Sequence, residues 1–275
     1  MKQSRFIDNV IKIIIWASSL ITVGILVWIL VYVIKNGIGE INLEYLTTAP
    51  KGEEGGIFPM IISTIYIVLL SVVISTPIGV CAAIYLVEYA KPGKIVRIIR
   101  FATESLAGIP SIIFGLFGMI FLVVTLKLGF SILAGAITLS IMVLPTIVRT
   151  TEEALKSVPK AYREGSLALG TSKLRTIFKV ILPTAMPGII TAVILSVGRI
   201  VGETAAVYMT AGMAPRIPNG IKASGRTLTV HLYLLAKEGI SFNKAYATAT
   251  ILVIIVALIN LTANRLAAKF SKGKA

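Results

Sequence analysis

Cysteine and histidine are almost missing from this sequence: Cys81 and His231 are single occurrences in 275 residues. One thiol excludes a disulfide framework, and one imidazole beside it excludes a Cys/His metal cluster. No G-x-x-x-x-G-K-[ST] run occurs, so the chain does not hold ATP in a phosphate loop. Charge is scarce as well, with Asp, Glu, Lys and Arg at 14%, against about a quarter in an ordinary soluble domain. Acidic residues are the scarcest of these, 12 against 27 basic, for a formal charge of +15. In a soluble chain that excess would point to nucleic acid. Here the cations lie between apolar runs, and no nucleic-acid partner is expected.

What is abundant is apolar surface. Hydrophobic types make up 56% of the chain, and the mean hydropathy is +0.90. A run of about twenty apolar residues crosses a bilayer as a helix, because every backbone group is then bonded within the segment. Six runs qualify: Val10 to Ile34, Ile61 to Val87, Leu106 to Leu126, Phe130 to Val148, Gly188 to Met209 and Ala245 to Leu266. The first is too long for a secretory leader and is followed by no A-x-A site, so it is expected to be retained. The sequence therefore predicts an all-α integral membrane protein with six transmembrane helices in the plasma (cytoplasmic) membrane.

Lys and Arg orient it. Eighteen fall in the N-terminus, the second and fourth loops and the C-terminal tail, and eight in the opposite loops. Both termini are expected to be cytoplasmic. The outer loop from Thr210 to Lys244 is basic too, either because a long loop tolerates charge or because it forms an electropositive mouth. Pro77, Pro110 and Pro145 mark kinks. Small residues such as Gly115, Gly118, Gly135, Gly188 and Gly198 suit close helix contact. Glu104 reads as a cap on the third crossing, His231 as a loop residue and Cys81 as a packed membrane residue.

The segment 149–183 is too polar to span and too well punctuated to be a linker. Thr150 and Glu153 have capping-box spacing, which predicts a short helix from near Glu152. Ser157 and Pro159 open a second helix that ends at Gly170, a residue suited to the left-handed position past a C-terminus. Thr171 or Ser172 caps a third, with Leu174, Ile177, Phe178 and Ile181 on one face, and Pro183 and Pro187 stop it. Periodicity alone permits a hairpin lying on lipid head groups.

The run Glu164-Gly165-Ser166, three residues, Gly170, nine residues, Val180-Ile181-Leu182-Pro183 resembles the E-A-A-x3-G-x9-I-x-L-P loop of binding-protein-dependent ABC importer permeases. Gly165, Ser166 and Val180 depart from that pattern conservatively. The resemblance implies a type I (MetI-like) permease bundle whose cytoplasmic coupling helices dock on an ATPase. Ala161, Tyr162, Glu164, Gly165, Ser166, Ala168, Leu169, Gly170, Leu182 and Pro183 would make that contact. It divides the chain into residues 1–60 (tail, first crossing and external loop), a transmembrane domain at 61–268, and a basic tail at 269–275.

The fifth apolar run holds two charges, Arg199 and Glu203, spaced to share one helical face and pair. A charge in a spanning helix is costly and normally serves a purpose. Either the pair ties helices together, or Arg199 binds oxyanions bidentately while Glu203 tempers it and Thr204 adds a hydroxyl. The run G-R-x-x-G-E-T-A resembles phosphate-specific members of the same family. Glu104 to Ser111, Tyr85 to Ala90 and His231-Leu232-Tyr233 resemble their A-type subunit. By that resemblance Arg199, Glu203 and Thr204 line a phosphate path and the chain catalyses no bond chemistry. It would bind no cofactor, leaving ATP and Mg to the motor. Its partners would be a homologous C-type permease, two copies of a cytoplasmic ATPase, a phosphate-binding lipoprotein or periplasmic protein, and the lipid bilayer. Two alternatives stay open: another oxyanion (molybdate, sulfate or phosphonate), and a gradient-driven secondary transporter.

Overall fold

The architecture is a computed structural model describing residues 2–51, 54–91 and 93–272. Helix α1 (Lys2–Gly37) leads through one 3-10 turn to α2 (Leu43–Thr47) and a two-residue antiparallel ladder, β1 (Pro50–Lys51) with β2 (Glu54–Gly55). Helix α3 (Phe58–Ile84) ends in a π-helical turn, Tyr85–Tyr89. Then come α4 (Lys94–Gly108), α5 (Ser111–Gly118) with a π-helical extension to Thr125, and α6 (Ile132–Lys156). Two short helices follow, α7 (Lys160–Ala168) and α8 (Lys173–Thr176). Beyond them lie α9 (Leu182–Val201), α10 (Ala205–Thr210), α11 (Leu228–Lys237) and α12 (Phe242–Lys272). Five helical stretches are long and apolar enough to cross a membrane, and the bent pair α4–α5 makes a sixth if counted as one. The protein is multi-pass.

The core is the seam of α3, α6 and α9. Leu139, Met142, Val143 and Ile147 of α6 are fully buried against Ile67 of α3 and Ile200 of α9. Glycine sets the spacing. A Cβ at Gly79 would lie 2.6 Å from Ile147 Cγ2, and one at Gly188 2.4 Å from Ala154 Cβ. Close backbone approach substitutes for the hydrophobic drive that lipid does not supply between helices. Gly115, Gly118 and Gly135 are close-contact positions as expected, whereas Gly198 faces open space. Four of the buried hydroxyls are satisfied locally: Ser75, Thr138, Ser140 and Ser196 each donate to the carbonyl four residues back.

Several sequence expectations are revised. The kink expected at Pro110 is sharper than a bent rod: the chain turns by 102° between α4 and the stretch Ser111–Thr125, at Ile109-Pro110, where proline removes a donor and disfavours helix in the residue before it. Glu104 sits inside α4 and pairs with Arg149 at 2.9 Å, so it caps nothing. No separate helix starts near Glu152, because α6 runs unbroken to Lys156. Pro183 and Pro187 do not stop the helix after α8. A π-helical turn, Ile177–Ile181, feeds directly into α9, and the helix runs on through Pro183 and Pro187.

Cys81 is exposed on the outside of the chain, and His231 is buried within α11. Helix α12 continues through residue 268 to Lys272. Residues 273–275 of the basic tail lie outside the described residues. The two ends of the bundle are distinct. One carries α4, α7 and α8; the other carries the β1–β2 ladder and α11.

Candidate coupling hairpin and cargo path

At the first end, α7 and α8 form the expected hairpin. Gly170 adopts φ +78, the left-handed conformation a β-carbon penalises. The Ser172 hydroxyl accepts from Arg175 N at 3.4 Å and opens α8. Inside the turn three hydroxyls meet: Ser166 Oγ lies 2.8 Å from Thr171 Oγ1 and 2.9 Å from Thr176 Oγ1. Ala161, Tyr162, Glu164, Gly165, Ala168, Leu169 and Gly170 are exposed, and Leu169 is 85% exposed. Leu182 and Pro183 lie elsewhere, at the head of α9, with Leu182 packed on a second core of Ile84, Leu155, Val158, Ile177 and Ile181. The candidate docking residues thus divide into an exposed knob and the joint that attaches it. Of the four apolar residues expected on one face of α8 and its π turn, Ile177 and Ile181 are buried, while Leu174 and Phe178 are exposed.

What holds the knob is a buried ion pair without a local sequence signature. Arg163 donates from Nε and Nη2 to Glu88 Oε1 at 3.0 and 2.9 Å. It also donates to the carbonyls of Val158 and Leu155, both at 2.7 Å. The Glu88 side chain is 8% exposed and that of Arg163 21%. Lys173 donates to the Glu88 carbonyl and lies 4.7 Å from the centre of the Tyr89 ring. One guanidinium therefore joins α7, the end of α3 and the orphaned carbonyls at the end of α6. Beside it, Glu152 is nearly buried between Arg100 at 2.5 Å and Lys156 at 2.7 Å. These groups line an open cavity of about 340 Å³. The pairing residues are 75 positions apart for Glu88–Arg163, and only the fold brings them together.

The fifth crossing corrects a second expectation. Arg199 and Glu203 do not share a helical face, because α9 ends at Val201 and Gly202-Glu203-Thr204 breaks the helix. Arg199 is exposed on α9 and forms no ion pair with Glu203. Glu203 instead accepts from Ala206 N at 3.3 Å, while its carbonyl accepts from Thr229 Oγ1 at 2.9 Å. Thr204 lines a mostly apolar cavity of about 490 Å³ together with Ile112, Tyr208, Met209, Thr229 and Tyr233. Broken helix of this kind survives at membrane depth where it is buried in protein or lines a cavity.

At the far end the basic loop from Thr210 to Lys244 folds into α11. Arg226 Nε donates to Met213 O at 2.8 Å, and its Nη1 lies 3.4 Å from His231 Nδ1. Burial first, then the neighbouring charges of Arg226 and Lys244, push the His231 imidazole down to about 4. Among the described residues no cluster of three or more His, Cys, Asp or Glu could hold a metal.

A helical bundle with a broken crossing, a lined cavity at the break and an exposed hairpin at one end defines a membrane permease. The chain belongs to the family of binding-protein-dependent transport system inner membrane components, whose model matches residues 75–274. It is 36% identical over 261 residues to the probable ABC transporter permease protein YqgI of Bacillus subtilis, covering 88% of this chain and 89% of that one. It is 34% identical to the phosphate transport system permease protein PstA of Mycobacterium leprae, covering 94% and 88%. Among solved structures, the inward-facing MetNI methionine ABC transporter matches with a TM-score of 0.62 at 24% identity, over 78% of this chain and 94% of that one. That likeness concerns the fold.

Proposed function

We propose that this chain is a permease subunit of an ATP-driven ABC importer that carries inorganic phosphate across the cytoplasmic membrane, of the A-type that pairs with a C-type homologue. The similarity to a PstA protein along nearly the whole chain carries the choice of cargo. Both termini and the α7–α8 knob face the cytoplasm, on the side with more Lys and Arg. The knob docks on a separate ATPase, two copies per importer, which binds ATP and Mg; this chain binds neither. A phosphate-binding protein delivers cargo at the α11 end. The permease contributes a path that opens alternately to each side, moved as a rigid body by the knob.

Arg199 presents a guanidinium to the oxyanion, and Thr204 lines the cavity at the helix break with Glu203 next to it in the chain. Because Glu203 caps α10 rather than pairing with Arg199, the cation stays available to an anion. The test is uptake of radiolabelled phosphate by cells carrying Arg199→Gln or Glu203→Gln, with assembly checked by co-purification. Each variant is expected to lose most uptake while remaining assembled. Near-normal uptake in both leaves these residues a structural role only. Competition by unlabelled sulfate, molybdate or phosphonate at the level of phosphate would replace the cargo.

A further inference from the structure

The sequence places a crossing at 106–126 with a kink at Pro110, and the structure sets a second helix, α4, nearly at right angles to the stretch Ser111–Thr125. With Ser111–Thr125 taken as the crossing segment, the 102° bend lays α4 close to the membrane plane. Its side chains divide into three sectors. Val96, Ile99, Thr103 and Leu106 are half-buried and turn toward the bundle. Arg100 and Glu104 form a flank tied to α6 through Glu152 and Arg149. The remaining sector is outward and apolar: Ile95, Ile98 and Phe101 are 67%, 65% and 70% exposed, and spacings of three keep them together.

Lys94 opens the helix within that outward sector, Arg97 lies at its edge, and Lys91 precedes the helix. All three are exposed, and none forms an ion pair in the structure. An apolar stripe edged by free cations, held parallel to the membrane, matches the chemistry of a leaflet surface: acyl chains below and phosphates beside them.

We infer that α4 is seated in the cytoplasmic leaflet, with Ile95, Ile98 and Phe101 at the acyl boundary and Lys91, Lys94 and Arg97 on the phosphates of anionic lipids. The leaflet thereby fixes one side of α4 while Glu152 and Arg149 fix the other. Surface charge of the membrane acts on the same end of α6 that Arg163 grips. The inference rests on the chain being a membrane permease oriented with its knob in the cytoplasm, and not on phosphate as cargo.

The experiment reads lipid contact rather than transport. Cys81→Ser removes the native thiol, and Ile98→Cys then carries a bimane reporter in the assembled importer, reconstituted in nanodiscs. Bromine-labelled phosphatidylcholine is expected to quench the reporter strongly and aqueous iodide weakly, with the opposite order for a reporter at Arg97→Cys. Replacing part of the phosphatidylcholine by phosphatidylglycerol should raise quenching at position 98. The triple variant Lys91→Gln, Lys94→Gln, Arg97→Gln should lose that increment, on the order of twofold, with its fold intact because all three side chains are exposed. A position-98 reporter open to iodide and blind to bromolipid overturns the inference. So does one shielded only while the ATPase is attached, which would assign the stripe to protein. An importer that shows this quenching yet takes up no phosphate would count against the cargo and leave the lipid seat standing.

Discussion

Removing the Arg163 side chain isolates the attachment of the knob from the knob itself. In Arg163→Ala the Glu88 carboxylate stays buried without its partner, and the carbonyls of Leu155 and Val158 lose a charged donor. Breaking a buried pair from one side costs about 3–5 kcal/mol. Water reaches Arg163, which is one-fifth exposed, so the lower end of that range applies. A loss of about 3 kcal/mol is roughly a hundredfold shift toward the unseated hairpin. Hydrogen exchange of the assembled importer should show it as a rise of that order in the opening of 158–177, with the α3–α6 seam unchanged. On the proposed docking role, transport should fall while ATP hydrolysis persists, because the motor would then pull on a loose handle. Glu88→Gln alone should be milder, since Arg163 keeps both carbonyls. The double variant should cost less than the sum of the singles, because it leaves no buried carboxylate unpaired. Strict additivity, or exchange in 158–177 within a few-fold of wild type, would refute the clamp.

Three more outcomes follow from local geometry. Gly170→Val meets no neighbouring atom, so it costs only left-handed backbone strain of about 1–2 kcal/mol; ATPase association measured by co-purification should weaken while detergent-solubilised permease melts near the wild-type temperature. Gly115→Leu drives a Cβ to 2.9 Å from Ala206 Cα, and overpacking of about 1–3 kcal/mol should lower the melting temperature of the purified permease. The buried, neutral His231 contributes stability that is complete above its unfolded value of about 6.5 and is lost as pH falls toward about 4. Thermal melts between those limits should therefore flatten in His231→Gln, and an unchanged acid slope would remove the imidazole from the account.

The hairpin was legible in the sequence because its signals are local. Gly170 needs a left-handed turn, and Ser172 caps whatever follows it. The crossings were legible as apolar runs, but hydropathy records composition and not direction. Pro110 marks the kink in the run apolar from 106 to 126, but nothing in that run records the size of the bend. Arg199 and Glu203 at i, i+4 imply a shared face only if the helix is continuous, and Gly202 ends it. The Glu88–Arg163 clamp has no signal in either segment alone. Each half reads as one more charge at a helix end until packing brings the two together.

The two interrupted crossings are one device rather than two accidents. Half-helix α5 begins just past the bend at Pro110, and half-helix α10 begins just past the break at Gly202. They pack directly on each other because Gly115 and Gly118 carry no side chain. A Cβ at either would collide with Ala206 or Thr210. A packed interface of this density shifts between discrete arrangements instead of deforming gradually. Any displacement of α10, where Glu203 caps the helix beside the cavity, must therefore carry α5 and load the elbow that joins it to α4. Helix α4 is in turn tied by Arg100 to Glu152, on the same end of α6 whose last carbonyls hold Arg163. A closed mechanical circuit thus joins cavity, elbow and knob through named contacts, which a bundle of six straight rods would lack.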